Sequence, residues 1–314
     1  MIPALILTAG LGTRLRPLSL VRAKPAVPVA GSPLVYRILR QLHSAGIDDA
    51  VLNLHHLPHT ITRQIGDGSD LGMHIRYSWE TSILGSAGGP RQALPLLDSS
   101  TFLIANGDTL TDVDVSALIS THRRSGALVT MAVTQTTEPQ KYGGVAVNSD
   151  GIVTGFTTRG SSQKSCHFLG LQVVEAAALM TLKAGTPCES VAAVYPALLD
   201  SHPGSIRAHI CSAVFFDIGT PNDYLRTSLL LANQETDSSL QGARVHLDQT
   251  AHVDASILWD DVYVGARSRL FGCIVTDGSR VPDDTSWTNV TLRPAIGELT
   301  HGERRIGNLA IAPI

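Results

Sequence analysis

The sequence predicts an α/β fold in which a mixed, mainly parallel sheet is flanked by helices and followed by a short parallel β-helix. Two patterns carry this prediction. Over about the first eighty residues, short apolar runs alternate with segments of helical periodicity, which is typical of parallel strands joined by helical crossovers. From about Ala243, apolar residues recur close to every sixth position, a period that indicates β-helix coils.

The alternating elements follow one another closely. A buried strand is predicted over residues 2–7, and a helix begins at Ser32-Pro33, where a serine N-cap precedes a proline at the first helical position. Gly46 ends this helix. The pattern continues with a strand over 50–54, a helix over about 58–65 and strands over 75–79, 101–105 and 128–133. Antiparallel pairing is predicted from residue 142, with a hairpin turn at Asp150-Gly151.

Composition limits the classes of protein that fit. The chain has 314 residues, of which 43% are hydrophobic and 16% charged, and this favours a compact globular protein with one large and one smaller domain. A formal net charge of -3 offers no basic field for nucleic acid, so no nucleic-acid partner is expected.

Compartment and redox state follow from what the sequence lacks. The four cysteines are scattered without a Cys-x-x-Cys pair, so neither a zinc site nor a disulfide framework is predicted, and the thiols are expected to be reduced. The N-terminus has no signal-peptide pattern, and no apolar run reaches membrane-spanning length. We therefore expect a cytoplasmic protein that does not bind a membrane.

The segment from Leu7 to Pro17 has the composition of a phosphate-binding loop. Gly10 and Gly12 allow close backbone approach and N–H donation to an anion. The Rossmann fingerprint needs a third glycine where this chain has Leu15, and the Walker Gly-Lys-Ser/Thr is absent. The glycines alone favour an ordinary strand-to-helix turn, but the positive charges of Arg14 and Lys24 favour an anion site.

These residues also carry a family resemblance. Gly10-x-Gly12-Thr13-Arg14-Leu15-x-Pro17-Leu18, followed by Lys24-Pro25-x-x-Pro28-Val29, resembles the signature of sugar-1-phosphate nucleotidyltransferases, the nucleotide-sugar pyrophosphorylases. The resemblance implies a Rossmann-like catalytic domain over residues 1–235 and a short left-handed β-helix of hexapeptide-like repeats over 243–286. Residues 287–314 would form a cap or wrapping segment.

Two carboxylates are candidate Mg²⁺ ligands. Asp108 follows a strand and lies beside the phosphate loop, where a cation would offset charge repulsion, although Asn-Gly-Asp alone would favour a turn. It resembles the family's Gly-Asp metal motif. The segment from Phe215 to Pro221 resembles Trp-x-Asp-x-Gly-Thr-Pro, which implies Asp217 as the second ligand, and Thr220 also suits a helix N-cap.

The resemblance implies the remaining nucleotide contacts. Leu84-Gly85-Ser86-Ala87-Gly88 resembles the family's Leu-Gly-Thr-Ala-Gly segment, which lines the base and ribose, whereas without the family it would be a loop capping the next helix. The implied nucleotide-binding residues are Leu7, Ala9, Gly10, Gly12, Thr13, Gly85, Ser86, Ala87 and Gly88.

On the sugar-phosphate side, the resemblance implies Gly144, Arg159 and Gly170. Arg159 replaces a phosphate-binding lysine, Thr158 replaces a glutamate that meets sugar hydroxyls, and Phe168-Leu169-Gly170 stands where many relatives have Asn-Ala-Gly. These departures leave the identity of the sugar open.

The implied activity is Mg²⁺-dependent transfer of a nucleoside monophosphate from a nucleoside triphosphate to a sugar 1-phosphate. Arg14 would stabilise the leaving pyrophosphate and Lys24 the α-phosphate. The Leu-Gly-Ser-Ala-Gly-Gly segment from Leu84 to Gly89 and the short β-helix resemble those of mannose-1-phosphate guanylyltransferases, which favours GTP with mannose 1-phosphate. Uridylyl, thymidylyl and adenylyl transfer stay open. A regulatory subunit that binds nucleotide sugars is the alternative, and the β-helix is expected to serve self-association rather than acyl transfer.

Overall fold

The computed structural model describes residues 2–136, 138–236 and 239–314. Two compact units divide the chain. The sheet unit comprises the chain up to Gly10, Arg37–Pro58 and Ile65–Phe216, and the coil unit comprises Leu11–Tyr36, His59–Gln64 and Asp217–Ile314. Each unit therefore draws on segments that are distant in sequence.

The sheet unit is built on a nine-stranded mixed sheet, as predicted. Ala4–Leu7 pairs in parallel with Asp49–Leu54 and with Thr101–Asn106, and Asp49–Leu54 pairs in parallel with His74–Trp79. The carboxyl ends of these strands meet at one edge, which is where ligands of such sheets bind.

The far side of the same sheet is largely antiparallel. Cys166–Glu175 pairs with Thr101–Asn106 and with Val129–Gln135 in antiparallel register, and Val129–Gln135 pairs in parallel with Ile206–Ile210. The predicted hairpin is formed by Gly144–Val147 and Val153–Thr157. Two further short strands are Thr109–Thr111 and Phe215–Asp217.

Six α-helices accompany the strands in the described residues, and they are Leu34–Ser44, Pro58–Ile65, Gly85–Leu97, Val115–Ser125, Tyr195–Ser201 and Pro221–Gln234. Two have side-chain N-caps, because Asp114 accepts from the Ala117 N–H and Thr220 from the Asp223 N–H. No helix in the described part of the chain combines the length and apolarity needed to cross a bilayer.

The helix predicted to begin at Ser32-Pro33 begins at Leu34 instead. Ser32–Pro33 pairs antiparallel with Pro28–Val29, and the intervening Ala30 and Gly31 both have positive φ, as a tight turn requires. The predicted helical face is correct, since its apolar side chains at residues 34, 38, 39 and 42 are all buried.

The C-terminal part of the coil unit is a stack of three-sided coils, the arrangement of a parallel β-helix. Successive strands on each side are parallel and 17 residues apart. The three sides are His246–Leu247, Tyr263–Val264 and Arg280–Val281; His252–Asp254, Arg269–Phe271 and Ser286–Thr288; and Ile257–Leu258, Ile274–Val275 and Val290–Pro294. The recurring apolar residues Leu258, Val264, Leu270, Val275 and Val281 form its core.

The coils continue beyond residue 286. Val290–Pro294 forms the last strand of one side and also pairs antiparallel with Leu309–Pro313, which Arg304–Ile306 then covers. This C-terminal hairpin is fixed by a buried bidentate ion pair between Arg293 and Glu303. The last coil therefore has no open strand edge on this side.

Arg22 joins the part of the signature segment that belongs to the coil unit, residues 11–29, to the coils. Its Nε donates to Asp277 at 2.7 Å, its Nη2 donates to Asp277 at 2.6 Å and to Asp260 at 2.7 Å, and its guanidinium lies 5.2 Å from the ring centroid of Trp259. Burial lowers the pKa of the guanidinium, but the hydrogen bonds and charges of Asp277 and Asp260 outweigh it and hold this pKa above its ordinary value. Trp259 Nε1 donates to the Tyr224 hydroxyl, which donates to the carbonyl of Pro28.

We predict that Arg22→Met lowers the free energy of unfolding by about 2–3 kcal/mol, because it leaves two adjacent, mostly buried carboxylates without their cation. Urea denaturation followed by circular dichroism measures this loss. The matched control is Arg244→Met, which breaks an equally well-formed pair with Asp261 that is more than half exposed on both sides. It should leave the urea midpoint close to that of the wild type, because solvent screens an exposed pair. Equal losses in the two variants would contradict an anchoring role for Arg22.

Candidate active site

The loop after the first strand is held by the neighbouring strand. The Thr8 N–H donates to Oδ1 of Asn53 at 2.6 Å, and the Thr8 hydroxyl donates to the Asn53 carbonyl. Both side chains are buried, Thr8 with 1% and Asn53 with 3% of its surface exposed. The loop therefore leaves the strand in a fixed direction.

The same hydrogen-bond chain continues to the next strand and to a helix. Asn53 Nδ2 donates to Oε1 of Glu80 at 2.7 Å, and Oε2 of Glu80 accepts from the Leu84 N–H at 2.9 Å. Glu80 is 5% exposed, and a Cβ at Gly89 would lie 2.6 Å from its Oε1, so only glycine admits the carboxylate there. This buried chain, Thr8–Asn53–Glu80–Leu84, connects the loop to the start of Gly85–Leu97.

A third segment joins this edge through Gly107. Its N–H donates to the Leu7 carbonyl at 3.0 Å, and a Cβ there would lie 2.5 Å from that same oxygen. Asp108 follows directly, so it lies beside the loop as predicted. Gly170, at φ +80°, packs against this segment, where a Cβ would lie 2.6 Å from Oγ1 of Thr109.

These segments enclose a pocket of about 270 Å³. Six of the predicted site residues line it, and they are Leu7, Ala9, Gly10, Gly85, Ser86 and Asp108. Five residues that the sequence did not single out also line it, and they are Asn53, Glu80, Ile83, Asn106 and Glu189. The lining thus combines the glycine loop, the carboxylate residues Glu80, Asp108 and Glu189, and small apolar side chains.

Ala87 and Gly88 are placed differently from the expected loop. The helix begins at Gly85, so both residues lie buried in its first turn. Their N–H groups donate to the carbonyl of Cys188 at 2.9 and 3.1 Å. These amides are engaged within the protein and fix Cys188, the residue before Glu189 of the pocket lining.

In the coil unit, Gly12 and Lys24 lie side by side. Gly12 has φ +61°, its carbonyl accepts from the Ser19 hydroxyl at 2.8 Å, and a Cβ on it would lie 3.2 Å from Cβ of Lys24. Lys24 is 6% exposed at the start of the turn Lys24–Ala26, whereas Thr13 is exposed. The signature segment therefore packs its lysine stem against its second glycine.

Arg14 and Asp217 converge on Gly219 in the same unit. A Cβ at Gly219 would lie 2.8 Å from each carboxylate oxygen of Asp217 and 3.1 Å from Nη1 of Arg14. Asp217 is buried and Arg14 is exposed. Thr220 caps the following helix, so the capping and functional interpretations of this motif are compatible.

The predicted sugar-phosphate residues are dispersed. The Gly144 N–H donates to Oγ1 of Thr157 at 3.1 Å, and Arg159 is exposed in the turn after Val153–Thr157. Neither residue lines the 270 Å³ pocket. Only Gly170 of the three lies against the Asn106–Thr109 segment.

Protein side chains alone do not form a complete metal centre in the described ranges, since no three His, Cys, Asp or Glu residues there are grouped closely enough. Mg²⁺ sites that act on phosphates commonly use one or two carboxylates and take their other ligands from phosphate and water. Asp108, in the pocket lining, and Asp217, beside Gly219, are each a carboxylate of the kind that such sites use.

Comparison with known proteins decides the family. The sequence profile of the family described as nucleotidyl transferase matches residues 3–234. The chain belongs to the nucleotidyl transferase family. The resemblance of the signature segments to this family is thereby confirmed.

Individual nucleotidyl transferases match different shares of the chain. A mannose-1-phosphate guanylyltransferase from Mycobacterium tuberculosis is 30% identical over 89% of this chain and 81% of its own length. An N-acetylmuramate α-1-phosphate uridylyltransferase from Neisseria meningitidis is 46% identical over 38% of this chain and 52% of its own length. The solved structure of HddC from Yersinia pseudotuberculosis superposes with a TM-score of 0.65 at 22% identity, covering 74% of this chain and all of that one. It shows the shared fold.

We predict that Gly107→Ala destabilises this nucleotidyl transferase by about 1–3 kcal/mol, because the new Cβ overlaps the Leu7 carbonyl and forces the two segments apart. Gly155→Ala is the control, since a Cβ at Gly155 meets nothing within 4 Å, and alanine there should be neutral or slightly stabilising. Urea denaturation compares the two. In Gly107→Ala, the amide of residue 107 should also exchange its hydrogen faster. Wild-type stability with unchanged exchange would contradict the close packing of this residue against the Leu7 carbonyl.

Proposed function

We propose that this protein transfers a nucleoside monophosphate from a nucleoside triphosphate to a sugar 1-phosphate, releasing pyrophosphate. The observation that carries the proposal is the pocket in which Gly10, Ser86 and Asp108 meet at the carboxyl edge of parallel strands. Its backbone amides suit phosphates and its size suits part of a nucleotide. Membership of the nucleotidyl transferase family supports the same reaction.

The reaction needs positioning and charge more than proton transfer. An oxygen of the sugar phosphate attacks the α-phosphorus, and the bond between that phosphorus and the bridging oxygen breaks as pyrophosphate leaves. The attacking phosphate is already ionised, so no general base is required. Catalysis of phosphoryl transfer rests largely on electrostatic stabilisation, which we assign to Lys24 for the α-phosphate and Arg14 for pyrophosphate.

Asp108 and Asp217 are the proposed protein ligands of Mg²⁺. When bound, Mg²⁺ neutralises charge on phosphate oxygens. Asp108 is half-buried in the pocket wall, and Asp217 is buried beside Gly219. Arg159, Gly144 and Gly170 are the proposed contacts of the sugar phosphate, with a guanidinium suited to bidentate phosphate binding.

We propose GTP and mannose 1-phosphate as the substrate pair. The 30% identity with the guanylyltransferase of Mycobacterium tuberculosis over most of both chains supports it. Uridylyl transfer is the second candidate, because the shorter match to the Neisseria uridylyltransferase is 46% identical. A regulatory subunit would have less need of Arg14, Lys24 and both aspartates, all of which this chain retains.

Product formation identifies the substrate pair. Pyrophosphate release is measured with Mg²⁺ for GTP, UTP, dTTP and ATP, each against mannose, glucose and N-acetylmuramate 1-phosphates, and the nucleotide sugar is verified by mass spectrometry. GDP-mannose as the dominant product is expected. A dominant UDP-sugar would overturn the substrate pair but not the reaction class, and nucleotide binding without any product would favour the regulatory alternative.

We predict that Lys24→Met and Asp108→Asn each lower kcat by about 10²–10³, because each removes a charge used mainly in the transition state. Methionine keeps the stem that packs against Gly12, and asparagine keeps the shape of Asp108, so both variants should fold. Asp108→Asn should also raise the Mg²⁺ concentration needed for half-maximal rate.

Lys183→Met and Asp70→Asn are the matched controls, since both residues are exposed and neither lines the pocket. They should turn over at the wild-type rate. Wild-type kcat in Lys24→Met or Asp108→Asn would remove that residue from the mechanism. Circular dichroism and the urea midpoint verify that any loss is not unfolding.

A further inference from the structure

Glu189 lies in the wall of the nucleotide pocket, and the proposed transfer chemistry gives it no role. It directly precedes the helical turn Ser190–Val194, and it lines the same 270 Å³ pocket as Ser86 and Asp108. Its side chain is exposed. A carboxylate here would repel phosphate groups, so a ligand group that contacts Glu189 is a hydrogen-bond donor rather than a phosphate.

The Glu189 carboxylate is held in one orientation by Ser86. Its Oε2 accepts from the Ser86 N–H at 3.2 Å and from the Ser86 hydroxyl at 2.5 Å, and the same hydroxyl oxygen accepts from the Ser190 N–H at 2.9 Å. These contacts join residues 103 positions apart in the sequence. The orientation is therefore set before any ligand binds.

The other carboxylate oxygen lies against Gly85. A Cβ at Gly85 would lie 2.6 Å from Oε1 of Glu189, and its φ of +77° is itself unfavourable for other residues. Both hydrogen bonds from Ser86 go to Oε2. Oε1 thus keeps acceptor capacity while it is confined against the glycine.

An oriented carboxylate in an exposed pocket wall selects a ligand that presents hydrogen-bond donors. Two neighbouring hydroxyl groups can both donate to one carboxylate, and hydrogen bonds to a charged acceptor are the stronger kind. Acidic residues hold ribose hydroxyls in this way in dinucleotide sites. In the proposed reaction, such hydroxyl pairs occur on the ribose of the nucleotide and on the sugar of the sugar phosphate.

We propose that Glu189 accepts hydrogen bonds from vicinal hydroxyl groups of a bound substrate and makes the enzyme selective for hydroxylated over deoxy substrates. The inference rests on the proposed function and names a specificity residue for its substrates. Ser86 and Gly85 act through Glu189 as positioning residues.

The test compares wild type with Glu189→Ala and Glu189→Gln. The control is Asp200→Asn, because Asp200 is an exposed carboxylate of the same unit that does not line the pocket. For each protein, Kd and kcat/KM are measured for GTP, 2′-deoxy-GTP and 3′-deoxy-GTP. A second arm uses mannose 1-phosphate and its 2-deoxy and 3-deoxy analogues.

Wild type should prefer the hydroxylated substrate of one arm by about 10- to 100-fold, the range for a hydrogen bond to a charged group. In Glu189→Ala that preference should fall to less than about threefold, because the hydroxylated substrate loses binding and the deoxy substrate does not. Glu189→Gln should keep part of the preference. Ser86→Ala should also lower it, since the carboxylate loses its orienting hydroxyl.

Loss of preference in the nucleotide arm supports the proposal with ribose as the source of the hydroxyls, and loss in the sugar arm supports it with the sugar. An equal decrease for hydroxylated and deoxy substrates would overturn it and leave Glu189 as a structural part of the wall. An unchanged preference in both arms would also overturn it.

The binding measurements separate this proposal from the reaction itself. If wild type binds the substrates but forms no product, the proposed function fails, and the Kd ratios still decide the role of Glu189. If wild type forms product with no preference for hydroxylated substrates, only the role of Glu189 fails.

Discussion

The buried chain from Thr8 through Asn53 and Glu80 to Leu84 is the interaction on which the site depends. Each of its polar groups is removed from water, and a buried donor or acceptor without a partner costs about 1–3 kcal/mol. These hydrogen bonds are therefore expected to form or break together. They fix two backbone segments, the loop after Leu7 and the start of Gly85–Leu97, that would otherwise be free to move independently. A pocket with walls set in this way loses little entropy when a ligand binds.

The coil unit holds the charged residues of the signature segment, Arg14 and Lys24. Arg22 ties this segment to Asp260 and Asp277, and Tyr224 ties its Pro28 carbonyl to Trp259. The coils thus stabilise the segment that carries Lys24, a buried cation whose stem packs on Gly12. Residues from both ends of the sequence consequently form one compact unit.

Sequence reasoning predicted those parts of the structure whose signals are local. The strand ends at Leu7 and Asn106 follow from apolar runs, so Gly10 and Asp108 were predicted at the same edge, and the six-residue period identified the coils. Asn53, Glu80 and Glu189 were missed because the contacts Asn53–Glu80 and Ser86–Glu189 join residues 27 and 103 positions apart, and no local pattern marks them. Gly85–Gly89 resembles a loop by composition, yet it forms a helical turn. Its glycines are needed because Glu189, Thr186 and Glu80 occupy the space of a Cβ at Gly85, Gly88 and Gly89. Ser32-Pro33 has the residues of a helix start, but its turn partners pair it as a strand.

We expect the buried hydrogen-bond chain to act as one unit in forming the proposed nucleotide pocket. A double-mutant cycle with Asn53→Leu and Glu80→Met tests it most directly, with the Kd of the productive nucleoside triphosphate measured for wild type, both single variants and the double variant. Each single change breaks the chain, so we expect each to weaken binding nearly as much as both together, with an interaction energy of about 1–3 kcal/mol. Losses that add to within about 0.5 kcal/mol would show that Asn53 and Glu80 act independently and would contradict the claim.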